Sequence, residues 1–255
     1  MAVIKTRVIP VLLLQNRGLV KTVKFAKPRY IGDPINSVRI FNEKEVDELI
    51  FLDISATPNR RGPDFTALED IAGEAFMPMA CGGGVTDIEQ VRRIMSMGFE
   101  KVILDTVTYD KPELVREAST IYGAQAVVAC IDVKKRLFGG WDLYTHSAAR
   151  RREVKLEQHL DNLLACGVGE ILVNSIDRDG TEAGYDIAAI KAVCSRVPVP
   201  VIACGGAGSL DDFARAVREG GAAAVAAGSL FVFKGVRRAV LINYPERAEL
   251  EACLP

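Results

Sequence analysis

Histidine is nearly absent from this chain of 255 residues, with His146 and His159 the only two. The six cysteines, Cys81, Cys130, Cys166, Cys194, Cys204 and Cys253, contain no C-x-x-C pair. Zinc-ligand spacing is therefore missing, and the sequence implies no metal and no cofactor. Most of these cysteines fall in apolar segments, where a reduced thiol serves as a small hydrophobe. Net charge is lacking as well: 32 Lys and Arg stand against 33 Asp and Glu. That balance supplies no field for nucleic acid or an anionic membrane as partner. No apolar run is long enough to span a bilayer, and the N-terminus lacks a signal-peptide pattern. A cytoplasmic protein follows as the expectation.

What the chain does have is a repeat. Ala80-Cys81-Gly82-Gly83-Gly84-Val85 returns as Ala203-Cys204-Gly205-Gly206-Ala207-Gly208. Each copy ends an apolar strand and leads into an amphipathic helical pattern, then another apolar strand. A period of about half the chain implies a doubled architecture.

The strands fall into two sets of four. Arg7 to Leu14, Glu48 to Asp53, Met77 to Cys81 and Lys101 to Leu104 form the first. Ala126 to Val133, Glu170 to Asn174, Val199 to Cys204 and Ala222 to Ala227 form the second. Helical patterns stand between them: Pro34 to Lys44 capped by Asp33, Phe65 to Ala75, Leu156 to Ala165 and Asp186 to Ser195. Gln15 to Asp33 reads as a long loop, functional or mobile. A second loop carries Trp141, Thr145, His146 and Ser147. Alternation of this kind predicts parallel strands, and eight of them predict one closed (β/α)₈ TIM barrel over residues 1–255. Its half-barrels would be residues 1–123 and 124–255, with the active site on loops at the strands' C-terminal ends.

Three groups of residues carry candidate chemistry. The first is a pair of glycine-rich turns. Gly82, Gly83 and Thr106 stand in one half, and Gly205, Gly206, Gly228 and Ser229 in the other. Glycine lets backbone N–H groups approach an anion. Two such cradles suggest a small-molecule substrate with a phosphate at each end; tight strand-to-helix turns are the plainer explanation. Asp105 stands where the second half has Gly228, and a carboxylate there repels phosphate.

The second group is Asp132, at the end of the fifth strand, and Asp179 in the sixth loop, both placed for acid–base work. The repeat puts Leu13 opposite Asp132, so one of two symmetric positions is chemically empty. The third is a set of charges at strand starts: Arg7, Glu48, Lys101 and Glu170. Period-two alternation points Arg7 the same way as Leu13, Lys101 as Asp105 and Glu170 as Asn174. The four would form a neutral ring at the barrel bottom, about 20 Å from the mouth. An ion-pair plug and a gate for a small molecule both fit that pattern.

The runs Asp53-Ile54, Gly82-Gly83-Gly84, Ser175-Ile176-Asp177-Arg178-Asp179-Gly180-Thr181, Gly184-Tyr185-Asp186 and Gly205-Gly206-Ala207-Gly208 resemble HisF, the cyclase subunit of imidazole glycerol phosphate synthase. The resemblance spans nearly the whole chain. It implies a barrel that receives ammonia from a HisH-like glutaminase on its N-terminal face, near Glu100 and Gln125, with Arg7, Glu48, Lys101 and Glu170 as the gate. It implies Lys21 as a substrate-loop lysine and Asn174 and Gly180 as substrate contacts. The family's two catalytic aspartates fall on position 13 and Asp132, and its phosphate-side asparagine on Asp105. Leu13 therefore breaks the acid–base pair.

Val-Leu-Leu-Leu in the first strand and Cys-Gly-Gly-Ala-Gly-Ser-Leu in the seventh resemble a HisF-like branch associated with amidination of acetamido sugars in surface polysaccharide. There the barrel serves a separate sugar amidotransferase. The expectation is a HisF-like ammonia-channelling subunit of that kind. A histidine-pathway cyclase (a lyase activity), a non-catalytic scaffold and a barrel isomerase are the alternatives.

Overall fold

The computed structural model describes residues 6–254. Its eight parallel strands are β1 (Arg7–Gln15), β2 (Leu49–Asp53), β3 (Met79–Gly82), β4 (Lys101–Leu104), β5 (Val127–Lys135), β6 (Glu170–Ser175), β7 (Val201–Cys204) and β8 (Ala224–Ala227). Each pairs with the next in chain order, and β8 returns to β1 with Arg7 opposite Ala224 and Pro10 opposite Ala227. The sheet is thus closed, the (β/α)₈ barrel that the alternating pattern predicts.

Outside it lie α1 (Pro34–Glu43), α2 (Phe65–Glu74), α3 (Ile88–Ser96), α4 (Pro112–Tyr122), α5 (Leu156–Ala165), α6 (Ile187–Cys194), α7 (Leu210–Arg218) and α8 (Arg247–Cys253). Local sequence starts most of them. Asp33, Asp64, Asp87 and Asp186 each accept a backbone N–H of the first turn, and Ser209 with Asp212 forms a capping box. Each such cap satisfies donors that the helix leaves open, worth about 1 kcal/mol.

Side-chain alternation separates two cores. Val8, Leu12, Phe51 and Leu104 face outward and pack under the helices with Phe41, Ile71, Phe213 and Phe231. Ile9, Val11, Ile50, Ile103, Val128, Leu172 and Ile202 face inward and fill the barrel. A fully buried side chain of this size stabilises the fold by about 1.5–3 kcal/mol.

Two segments read as loops are sheet. Residues 15–33 form a hairpin, Gly18–Val23 with Ala26–Gly32, which continues β1 antiparallel through Leu13 opposite Val20. Its outer strand is exposed along nearly its full length, so no apolar face marks it. The segment with Trp141 and Thr145 is likewise a strand, Trp141–Thr145, paired antiparallel with the extended end of β5 and with Arg150–Arg152. Strands β3 and β7 start later than their apolar runs because Pro78 and Pro200 precede them and lack the ladder N–H.

Candidate functional site

At the N-terminal end of the barrel the four strand-start charges meet. The Arg7 guanidinium donates to Glu48 and to Glu170. From the other side Lys101 Nζ lies 3.1 and 3.0 Å from the two Glu48 oxygens and 2.9 Å from Glu170 Oε2. Charges alternate around a closed ring, and both glutamates are buried. Burial opposes the Arg7 charge, but Glu170 and Glu48 outweigh it and hold the guanidinium above its ordinary pKa. Two residues along each strand the inward positions are Ile9, Ile50, Ile103 and Leu172. The bore above the ring is therefore apolar. Glu100 and Gln125 are exposed, beside the start of β4 and just before β5.

At the opposite end a cavity opens among the strand-to-helix loops. Gly83, Thr106, Asp132, Asn174, Asp179, Gly180, Gly205, Gly206, Gly228, Ser229 and Lys21 all line it. The two glycine-rich turns thus share one face. Gly82 does not line it; this glycine is needed beneath the mouth, where a Cβ would lie 2.5 Å from Ile103 O. Gly83 has φ +110°, and a Cβ there would collide with the Asp53 backbone. Asp53 itself is occupied: it accepts from Ser55 N and Oγ at 2.9 and 2.7 Å and pairs with Arg61 at 3.0 Å.

Lys21 comes from the hairpin, not from an open loop. It is buried, its Nζ donates to Val11 O, and a Cβ at Gly228 would collide with it. Burial lowers its pKa to about 8, opposed by Asp179. Asp179 Oδ2 accepts from Thr22 Oγ1 at 2.7 Å and from Phe25 N at 3.1 Å, so this carboxylate ties the hairpin to the β6 loop. Burial raises its pKa, and those two donors and Lys21 hold it back.

Asp132 projects from β5 and is pushed up to about 7 by burial, with the Asn174 amide acting the other way. Asn174 Nδ2 donates to Asp132 Oδ1 at 3.3 Å. Asp105 follows β4 and is raised well above the usual carboxylate range, first by burial and then by the Asp132 charge. On the first-half side the same rim is apolar: Leu13 and Leu52 line it. Among the described residues no cluster of three or more His, Cys, Asp or Glu could hold a metal ion, and no helix is long and apolar enough to cross a membrane.

The model of the histidine biosynthesis protein family matches residues 7–237. A Leptospira borgpetersenii protein, provisionally named imidazole glycerol phosphate synthase subunit HisF, is 46% identical over 253 residues, 99% of this chain and 100% of that protein. A Pseudomonas aeruginosa protein with the provisional subunit name hisF2 is 48% identical over 248 residues, 97% of this chain and 99% of that one. A Vibrio vulnificus protein provisionally named hisF3 is 44% identical over 252 residues, 98% and 97% of the two chains. This chain belongs to that family. It is a HisF-like barrel.

The HisF-like mouth also holds residues that sequence reasoning passed over. Thr22 and Phe25 enter from the hairpin, and His146 and Ser147 from the turn between Trp141–Thr145 and Arg150–Arg152. Ser147 Oγ donates to Ile54 O at 2.9 Å, joining the two halves across the rim. His146, Ser147 and Ala148 all have positive φ, between 54° and 66°. The seven residues from Leu143 to Ala149 hold no glycine, so nothing in their composition signals that bend.

Proposed function

We propose that this chain is the barrel subunit of a glutamine-dependent, ammonia-supplying pair. A HisH-like glutaminase docks on the N-terminal face around Glu100 and Gln125. The ring of Arg7, Glu48, Lys101 and Glu170 then gates entry of ammonia to the bore. An apolar bore suits neutral ammonia, since an ammonium ion inside it would lose its solvation without a partner. The acceptor is an acetamido sugar for surface polysaccharide, amidinated by a sugar amidotransferase served at the mouth.

The observation that carries this reading is the inequality of the two ends. The ring is complete, while Leu13 stands where the other half offers Asp132. Losing one member of an acid–base pair costs on the order of 10²–10⁴-fold in rate. The turn between the end of β5 and Trp141–Thr145 leaves Leu137 and Phe138 exposed at 89% and 97%, surface that a docked enzyme would cover. Within the mouth, Lys21, Gly205, Gly206, Gly228 and Ser229 would hold one phosphate of a substrate. Gly83 and Thr106 would serve the other end, with Asp132, Asp179, Asn174 and Gly180 as its polar contacts.

The names carried by the relatives favour a second reading, a cyclase of histidine biosynthesis in which Asp132 or Asp179 suffices. A cyclase assay with ammonium supplied directly separates the two. The first reading expects no turnover and partial rescue by Leu13→Asp. Turnover by the unmodified protein at an ordinary cyclase rate overturns it.

A further inference from the structure

The two departures from internal symmetry lie on opposite sides of the mouth. Leu13 removes a carboxylate from β1. Asp105 adds one after β4, next to the strand that carries Asp132. The polar groups are thereby gathered on the β4–β5–β6 side, opposite Leu13 and Leu52. Three buried polar atoms on that side have no partner: the acceptors Asp105 Oδ1 and Asn174 Oδ1, and the Tyr109 hydroxyl. Asn174 is 9% exposed, its amide nitrogen donates to Asp132, and its oxygen faces Gly205, where a Cβ would lie 2.8 Å away. Gly205 also lines the cavity.

Neither carboxylate has a counter-charge. Among the described residues Asp105 and Asp132 form no ion pair. The nearby Arg152 is committed to Asp110 at 2.7 and 3.1 Å and lies over the Tyr109 ring. Lys21 is held by Val11 O on the β1 side. Thr106 Oγ1 approaches Asp105 Oδ2 at 3.3 Å, leaving Oδ1 open. Buried acceptors without donors are costly, by about 1–3 kcal/mol each and more when charged. A ligand that stabilises this wall must bring N–H donors and positive charge.

We propose that Asp105, Asp132 and Asn174 form a binding site for a small N–H cation, an ammonium, amine or amidinium group, at the mouth of the barrel. It borders the Gly205 turn through Asn174, but its own groups are acceptors, whereas the backbone N–H groups of the glycine-rich turns suit anions. It does not rest on ammonia delivery or on any partner. Asp105 accepts through Oδ1, Asn174 through its amide oxygen, and Asp132 supplies the second negative charge. The groups that face the pair are Thr106 and Tyr109 after β4, Cys130 on β5, Asp179 from the β6 loop, Cys204 on β7 and Lys21 from the hairpin. Burial keeps Cys130, Cys204 and Tyr109 neutral, and the groups that change charge near neutral pH include Asp132, raised to about 7, and Lys21, lowered to about 8.

The test is calorimetric titration of the full chain with acetamidinium chloride. Acetamide is the neutral isostere, and tetramethylammonium is the cation without N–H. We expect saturable millimolar binding of acetamidinium at pH 8. It should be at least tenfold weaker for acetamide and for tetramethylammonium, and at least tenfold weaker at pH 5, where Asp132 is protonated. Asp105→Asn and Asn174→Leu should each weaken it by five- to a hundredfold. Equal binding of all three probes overturns the proposal, as does no binding at pH 8 or binding indifferent to pH. The wild-type series decides by itself should a variant fail to fold. Loss of the ammonia-supply reading in the cyclase assay would leave this binding in place.

Discussion

Asp132 and Asn174 are Cα partners in the β5–β6 register, and the Asn174 amide donates to the Asp132 carboxylate across that rung. The bond orients one side chain by the other, so both follow the rigid sheet, not a loop. It uses one N–H of the Asn174 amide and leaves the amide oxygen without a partner. Burial, and then the charge on Asp132, raises Asp105. Two adjacent carboxyls of this kind ionise in succession, not together.

This arrangement makes stability fall as pH rises. A carboxyl raised in the folded state keeps its proton after the unfolded chain has lost its own, near pH 4. The folded state then binds more protons, and the slope of stability with pH is negative. For Asp132 that window runs from about pH 4 to its folded value of about 7. Asp105 adds to it in the same direction. Asp105→Asn should raise stability at pH 7.5 by on the order of 1–3 kcal/mol, with the gain vanishing at pH 4. Urea denaturation at the two pH values measures it. A variant less stable at pH 7.5 would count against the unpaired charge.

His159 imposes the opposite slope. It is buried on α5, its ring stacked on Tyr109 with centroids 3.8 Å apart, and Thr108 Oγ1 lies 3.4 Å from its Nε2. Burial and then Arg152 lower its pKa from 6.5 to about 4. A depressed base contributes stability that is full above pH 6.5 and is lost as pH falls toward 4. His159→Phe, which keeps a ring against Tyr109, should flatten the acid side of the stability curve between pH 6.5 and 4. An unchanged acid slope would place the lost protons elsewhere.

Much of the barrel was legible because its signals are local or periodic. Apolar runs marked the eight strands, Asp33 and Pro34 marked the start of α1, and period two oriented Arg7, Lys101 and Glu170 inward. The hairpins were not legible, since Ala26–Gly32 has no apolar face and the chain from Lys135 to Arg152 breaks up its apolar residues with charges and a Gly139-Gly140 pair. The site was half legible. The repeat exposed both Leu13 and Asp105 as departures, but their placement on opposite walls depends on strand neighbours, which no sequence spacing states. Thr22 and Phe25 reach Asp179 only because the hairpin folds over the mouth.

The ring at the bottom should be sensitive to a single lost charge. Glu48 and Glu170 are buried and each serves both Arg7 and Lys101. Glu48→Gln leaves two cations sharing one carboxylate. Breaking a buried pair this way costs about 3–5 kcal/mol, whereas replacing a whole buried set by apolar groups is often neutral. Glu48→Gln should therefore destabilise strongly in thermal and urea melts. A quadruple variant with all four positions changed to Met or Leu should recover most of the loss. If the quadruple variant is the least stable of the set, the ring contributes net stability and is no mere solvation burden.

The hairpin over the mouth should be held chiefly by Asp179. Its carboxylate accepts from Thr22 Oγ1 and Phe25 N, and its carbonyl accepts from Lys24 N at 2.9 Å. The next residue, Gly180, has φ +67° and passes so close to Thr22 O that a Cβ would collide with it. A hydrogen bond to a charged group contributes about 1.5–3 kcal/mol, which corresponds to roughly tenfold or more in local opening. Thr22→Val should thus speed amide exchange at Lys24 and Phe25 by at least tenfold, with little effect on core amides such as Leu172. Thr22→Ser keeps the hydroxyl and should restore protection. Gly180→Ala should open the same amides further, because it adds backbone strain to the collision. Exchange that stays slow in Thr22→Val would show that pairing with β1 alone holds the hairpin down.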